Sequence, residues 1–463
     1  MKQLLILIIS LITSSNQNNV FGQRLQESKK DSPLRTKENI KNSKKKKPNI
    51  IFILADDLGI GNVSAYGADN YNTPNIDKLA KEGIQFNKSF TAPLCGPSRA
   101  MILTGRYAFR TGATNQDACL LIKPSNEIMI PSILKKAGYT SSCIGKWGQL
   151  PLGPKEFGFD DYIKFKGSGV YKSTPEKIEH YTINGEDRIL KDSEYMPDLM
   201  HNHMIDFIDK NKSNPFFVYY SMSHVHGKIR PTPDSKSDSK DLFADNILYM
   251  DKLVGKLIHY LDSTNLRENT LIVFFGDNGT GNQWYNNSTI GGRVLSGKKG
   301  EMKECGSLVP MIVNWKENAK KGIQTNQLID ASDFLPTFAE ISGVELPKSL
   351  LIDGKSFAKN LTQKTNNERD WIFTELGKDW YVREKDWKMN RAGELYDMSK
   401  APFEEILITE NNQTSVSKEA KMRLSKTLDN LAPQNGILDT GSGNGRHASK
   451  EKKKKESKDT GIE

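Results

Sequence analysis

The chain has 463 residues, 36% hydrophobic and 26% charged, the profile of a soluble globular protein able to build a large domain and a smaller one. Its four cysteines, Cys95, Cys119, Cys143 and Cys305, exclude a disulfide-built scaffold, and no CxxC spacing suggests zinc. The formal charge of +10 is uneven: residues 1–47 hold 11 Lys/Arg against 3 Asp/Glu, and residues 439–463 hold 7 against 5, which leaves residues 48–438 near neutral. The basicity is therefore a property of solvated flanks that can hold polyanions, and no nucleic-acid partner is expected for the body.

The chain opens with Met1-Lys2-Gln3 and the apolar run LLILIISLI, followed by polar residues from Thr13. This reads as a signal peptide over residues 1–22, and a secreted or periplasmic location follows. The run is too short to span a bilayer, so no transmembrane anchor is expected. Residues 23–47 form a basic linker ending in Lys44-Lys45-Lys46-Lys47. NIIFIL (49–54) then reads as a buried parallel strand. Thr73-Pro74 starts a helix, with Thr73 as N-cap and Pro74 at the first helical position, running to about Gly83. IPSILKKAG (130–138) reads as helix, YTSSCIG (139–145) as strand, FFVYYSM (216–222) as strand, residues 241–263 as a long amphipathic helix, and TLIVFFG (270–276) as strand. Helix and strand in alternation imply an α/β domain over 48–345, a large, mainly parallel or mixed sheet sandwiched by helices. From about residue 346 the segments WIFTEL, WYVRE, DWKMN and GELYDM suggest a small antiparallel sheet over 346–438. Residues 439–463 are low in complexity and read as a disordered basic tail.

Two acidic clusters sit where such a sheet places its chemistry. Asp56-Asp57 follows the first strand and Asp277-Asn278 follows TLIVFFG. Sites in open α/β sheets form beyond the carboxyl ends of strands. Three carboxylates and an amide oxygen are hard ligands, suited to Ca²⁺ or Mg²⁺. The competing reading is that these residues only cap turns.

Cys95-Gly96-Pro97-Ser98-Arg99, continuing through Leu103-Thr104-Gly105-Arg106, resembles the C-x-P-S-R signature of the formylglycine-dependent (type I) sulfatases, arylsulfatase-like members of the alkaline phosphatase superfamily. The likeness extends from residue 49 to about 410, with ADD upstream, DNG downstream, and ELYDM (394–398) resembling the family's C-terminal sheet. It implies a sulfuric ester hydrolase whose catalytic domain is residues 48–345. It implies that a formylglycine-generating maturation enzyme oxidises Cys95 to formylglycine (3-oxoalanine), whose hydrate attacks sulfur. An unaided serine is a weak nucleophile for an anionic ester. The resemblance assigns Asp56, Asp57, Cys95, Asp277 and Asn278 to Ca²⁺, and gives Arg99 the task of holding the nucleophile. Lys146, in Gly145-Lys146-Trp147, and Lys299 match the sulfate-binding lysines, with Lys298 the rival to Lys299 at one residue's slip. His226 matches the histidine that protonates the leaving alcohol and binds substrate, a task suited to a group titrating near neutrality.

One position departs from the pattern. Many relatives read G-K-W-H, and here Gly148 stands at the histidine position. Glycine transfers no proton, so either another group takes this step, with His224 or Lys146 the expected substitute, or turnover is slow; His224 is otherwise structural. His201 and His203 carry no assigned function. Trp380, Tyr381 and Trp387 stack on sugar rings or pack a core. The expected substrate is a sulfated glycan, such as an oligosaccharide from a marine-type sulfated galactan. The alternatives are a phosphonate or phosphodiester hydrolase on the same fold, and an inactive relative that binds sulfated glycans.

Overall fold

The computed structural model describes residues 46–148, 150–363 and 369–439. The expected signal peptide, almost all of the basic linker and all but the first residue of the basic tail lie outside these residues. The strands of the body are, in chain order, β1 (Asn49–Ala55), β2 (Ile84–Phe90), β3 (Thr140–Lys146), β4 (Asp161–Phe165), β5 (His180–Ile183), β6 (Glu186–Ile189), β7 (Phe216–Ser221), β8 (Thr270–Gly276), β9 (Thr289–Ile290), β10 (Arg293–Val294), β11 (Leu308–Asn314) and β12 (Ile323–Asp330). Among the described residues, ten of them form one sheet in the order β12-β2-β11-β8-β1-β7-β3-β4-β5-β6, while β9 and β10 pair as a separate hairpin.

The centre of the sheet is parallel: β8, β1, β7, β3 and β4 run the same way. Every residue of β1, β7 and β8 is buried, as their continuous apolar runs require. The outer part is mixed, because β11 is antiparallel to both β8 and β2, and β5 and β6 form an antiparallel edge. The two faces pack separate cores. Ile50, Phe52 and Leu54 face one layer, which includes Met101, Ile130 and Phe338. Ile51 and Ile53 face the other, with Leu79, Met204 and Leu253. This is the period-2 alternation of a strand buried on both sides.

The helices that matter below are α1 (Pro74–Lys81), α2 (Cys95–Thr104), α3 (Ala108–Thr111), α4 (Ile130–Lys135), α5 (Met196–Asn211) and α6 (Leu242–Ser263). Asp241 caps α6, accepting the Phe243 and Ala244 amide protons. Helix α1 begins at Pro74 as its sequence suggests, but the Thr73 side chain does not cap it. Its hydroxyl bonds Ser64 and Asp77 instead. The Asn75 and Ile76 amides are capped from α6, by the Asp251 carboxylate at 3.0 and 2.8 Å. A long-range carboxylate has displaced the local hydroxyl, because a charged acceptor bonds an unpaired helix N-terminal amide more strongly.

The second sheet is antiparallel throughout: β13 (Ile372–Leu376), β14 (Asp379–Arg383), β15 (Trp387–Asn390), β16 (Leu395–Asp397) and β17 (Ile406–Leu407). A helix over Ser415–Leu431 lies on it, with Leu424 packed among Val382, Met389 and Leu395. Arg383 of β14 reaches back to Glu304 at 2.7 Å, both fully buried, which pins this sheet to the segment following Lys299. Arg391 covers the face of Trp380 at 4.6 Å, and Tyr381 is buried. No helix among the described residues is long and apolar enough to cross a membrane.

Candidate active site

The parallel strands set their carboxyl ends side by side. The β1–β8 register pairs Ala55 with Gly276, so Asp56 and Asp277 leave the sheet as neighbours. Asp57 takes φ +60, a left-handed conformation that aspartate tolerates better than most residues. Its amide bonds Asp277 Oδ1 at 3.0 Å, and its Oδ1 accepts from Asn278 Nδ2 at 2.9 Å. Strand β3 delivers Lys146, whose Nζ lies 2.8 and 2.7 Å from the two Asp56 oxygens, and both residues are wholly buried.

Helix α2 explains the spacing of the cysteine motif. Cys95 is its first residue, where the dipole is positive and a proline two residues on loses no intrahelical bond. Arg99, four residues later, therefore shares a face with Cys95. Its guanidinium spans the strand ends, with Nη2 on Asp277 Oδ2 at 2.7 Å and 3.7 Å from Asp56 Oδ1. Its Nη1 donates to the Lys146 carbonyl at 3.1 Å and to Ser221 Oγ at the end of β7. One arginine thus holds β1, β3, β7 and β8 in register at the site.

Lys299, from the loop after β10, brings Nζ to 2.7 and 2.8 Å from the Asp57 carboxylate. Lys298 points elsewhere, to Glu301 at 3.9 Å and over the Tyr285 ring. His226 follows β7, with Nε2 3.7 Å from Asp57 Oδ2 and an unpaired Nδ1. His224 turns the other way. Its ring is fully buried against Tyr171 and Tyr195, with Nε2 3.2 Å from the Tyr195 hydroxyl and no hydrogen bond to the carboxylates. The expected site residues Asp56, Asp57, Cys95, Arg99, Lys146, His226, Asp277, Asn278 and Lys299 thus converge, and the His224 ring does not join them.

The electrostatics follow from burial and pairing. Burial works to raise Asp56, but Lys146, His226 and Arg99 outweigh it and hold the carboxyl below the usual range. Burial and the nearby Asp56 charge raise Asp277, against Arg99 and Lys146. Burial works to lower Lys146, but Asp56 outweighs it and raises the ammonium. Burial lowers His226, and it pushes His224 down to about 3, which leaves that ring neutral. Three carboxylates face three fixed cations, so the cluster is close to neutral before any ligand arrives.

The donor set suits a hard divalent cation. One ligand atom each from Asp56, Cys95 and Asp277 lie within 4.8 Å of one another, as do those of Asp56, Asp57 and His226. Asn278 Oδ1 is buried without a partner while its Nδ2 is used on Asp57 and the Gly279 carbonyl. A buried, unpaired amide oxygen beside three carboxylates is a hard donor suited to such an ion.

One contact escaped the sequence reading. Gln116 stands beside Cys95, with Nε2 3.2 Å from Cys95 Sγ and Oε1 3.0 Å from the Gly96 amide. Its contact depends on a loop folding back over α2, and no local pattern marks that. Gly148 takes φ +82, and a Cβ there would stand 3.1 Å from Arg99 Cδ. The departure from G-K-W-H thus coincides with a backbone that disfavours any side chain.

Comparison with known proteins agrees with this geometry. A family model described as Sulfatase matches residues 48–344, and one described as N-sulphoglucosamine sulphohydrolase, C-terminal, matches residues 298–431. The chain is 28% identical to an arylsulfatase of Hemicentrotus pulcherrimus over 396 residues, covering 79% of this chain and 71% of that one. It is 28% identical to an N-acetylgalactosamine-6-O-sulfatase of Bacteroides thetaiotaomicron, covering 85% and 94%. The crystal structure of Ps i-CgsB in complex with k-i-k-neocarrahexaose superposes with a TM-score of 0.71 at 27% identity, covering 90% and 98%. With the matched family spanning both the strand-end cluster and the small sheet, the chain belongs to the sulfatase family and is a sulfuric ester hydrolase.

Proposed function

We propose that the protein is an exported, calcium-dependent sulfatase of sulfated carbohydrate, with formylglycine made from Cys95 as its nucleophile. The observation that carries this reading is the strand-end cluster in which Cys95 lies within reach of Asp56 and Asp277 and beside the cations Arg99, Lys146 and Lys299. Asp56, Asp57, Asp277, Asn278 and the modified residue 95 would hold Ca²⁺. The ion supplies a doubly charged Lewis acid, and the aldehyde of formylglycine supplies, as its hydrate, an oxygen nucleophile for sulfur.

The chain's own residues do the rest. Lys146 and Lys299 bind the sulfate group and neutralise charge that develops on its oxygens, an effect strengthened by burial. Arg99 keeps the strand ends and α2 in fixed relation, so that nucleophile and ligands stay aligned. His226 binds substrate and hands a proton to the leaving alcohol oxygen. His224 is assigned a positioning role, holding its segment against Tyr195, rather than the proton transfer expected of it from the sequence. The catalytic part is residues 48–345, with 346–438 bracing the Lys299 loop. Sulfated glycan as substrate is supported by a relative named for an N-acetylgalactosamine sulfate and by a similar structure solved with a neocarrahexaose. Export rests on the apolar run after Lys2, and the maturation enzyme on the need to oxidise Cys95.

Sulfate release from a panel of sulfated oligosaccharides tests the reading, using protein co-produced with a formylglycine-generating enzyme and Cys95→Ala as control. Release by the matured protein alone is expected. A strong preference for phosphate diesters or phosphonates, or glycan binding without release once formylglycine is confirmed by peptide mass, would overturn it.

A further inference from the structure

We propose that Gln116 is a catalytic residue of this site, its carboxamide donating a hydrogen bond to the side chain at position 95. This rests on the reading of Cys95 as the modified nucleophile. The geometry leaves the amide little choice of orientation. The Gly96 backbone N–H can only donate, so the Gln116 atom 3.0 Å from its nitrogen is the carbonyl oxygen. That turns Nε2 toward Cys95 Sγ, at 3.2 Å. Gln116 is therefore anchored at one end on the first turn of α2 and directed at the reacting side chain with the other.

The surroundings explain why this contact comes from Gln116. On the Arg99 side no side chain is available at 148: the residue is glycine, its φ is +82, and a Cβ would stand 3.1 Å from Arg99 Cδ. Arg99 has its two terminal nitrogens committed to Asp277, Lys146 and Ser221. Gln116 instead approaches across Gly96, where a Cβ would lie 2.8 Å from its Oε1 and 2.9 Å from Cys119 Sγ. Glycine at 96 is what lets the carboxamide sit this close. An amide group neither gains nor loses a proton near neutrality, so Gln116 cannot stand in for a histidine as acid or base. It orients. A donor fixed on one atom of residue 95 selects one rotamer of the nucleophile, and it bonds an oxygen there more strongly than a sulfur.

Two substitutions separate the anchor from the donor. Gln116→Glu keeps an oxygen for the Gly96 amide and loses the N–H. Gln116→Ala loses both. Each is produced with the maturation enzyme, and peptide mass gives the formylglycine content by which rates are normalised. Labelling cysteine at its β-carbon lets ¹³C NMR read the ratio of hydrate to free aldehyde at residue 95, independently of turnover. Both variants are expected to lower kcat about tenfold to a hundredfold with little change in KM. Both are expected to shift the hydrate-to-aldehyde ratio, with thermal melts unchanged. Wild-type kcat and ratio in Gln116→Glu, or a raised KM alone, would overturn the proposal, and this variant decides the matter if Gln116→Ala does not fold. If the wild-type protein releases sulfate while residue 95 is still cysteine, the formylglycine reading fails first and this proposal falls with it. Peptide mass reads that outcome before any variant is made.

Discussion

Glu375 gives a test in which structure dictates both sign and size. It lies on β13, 2% exposed, with Oε2 accepting the Phe109 amide at 2.8 Å and Oε1 without a hydrogen-bond partner. Burial, with a smaller push from Asp439, raises this carboxyl from 4.5 to about 8. The native state therefore keeps its proton up to about pH 8, while the unfolded chain releases it near 4.5. Between those values the unfolded state binds fewer protons, so stability falls as pH rises, and the loss levels off above the folded-state value. At 1.36 kcal/mol per unit over about 3.5 units, the ceiling is on the order of 5 kcal/mol. Water entry and local relaxation lower that figure. A Glu375→Gln variant has no carboxyl proton to release there and keeps an oxygen for the Phe109 amide. The variant should lie within about 1 kcal/mol of the wild type near pH 5, and its advantage should grow by at least about 1.4 kcal/mol between there and pH 8.5, a tenfold change in the unfolding constant. Urea unfolding of both proteins at about pH 5, 6.5 and 8.5 measures this. Parallel pH profiles for the two proteins would refute the reasoning.

Three further outcomes are expected. Lys299→Ala should lower kcat/KM about a hundredfold, because it removes a fixed cation from the site, whereas Lys298→Ala, which removes a cation directed at Glu301 and the Tyr285 ring, should stay within about threefold in the same sulfate-release assay. Dialysis against a chelator should abolish turnover and added Ca²⁺ restore it, and Asn278→Ala should need about tenfold more Ca²⁺ for half-maximal rate, since it deletes the open amide oxygen. Asp251→Ala should cost about 2–3 kcal/mol in urea unfolding with kinetics unchanged, because the carboxylate caps α1 from a distance and lies outside the site.

Much of the fold was legible because the relevant signals are local. TLIVFFG reads as a strand from its own residues, and the structure places β8 on Thr270–Gly276. The amphipathic helix expected at 241–263 is α6, Leu242–Ser263, and the aromatic segments after 346 form the antiparallel sheet. The antiparallel insertion of β11 between β2 and β8 was not legible, because strand direction depends on where the chain returns, not on side-chain pattern. The Thr73 cap failed for the same reason: Thr73-Pro74 signals a helix start, but the acceptor for its amides comes from Asp251 on α6.

The sequence by itself determined the chemistry available to this protein. The motif from Cys95 to Arg99, the acidic pairs after two apolar strands, and Lys146, His226 and Lys299 are residue types, and residue types carry reactivity wherever they stand. Only the tertiary structure decided how that chemistry is apportioned. Lys299 rather than Lys298 meets Asp57, the His224 ring turns into the Tyr171 and Tyr195 side chains while that of His226 lies toward Asp57, and Gln116 comes to rest on Cys95. Each of these is a choice between neighbours or between distant segments, settled by backbone direction and, for Gln116, by the few ångströms that Gly96 leaves open. Such distances arise from the packing of elements far apart in the chain, and no local spacing encodes them.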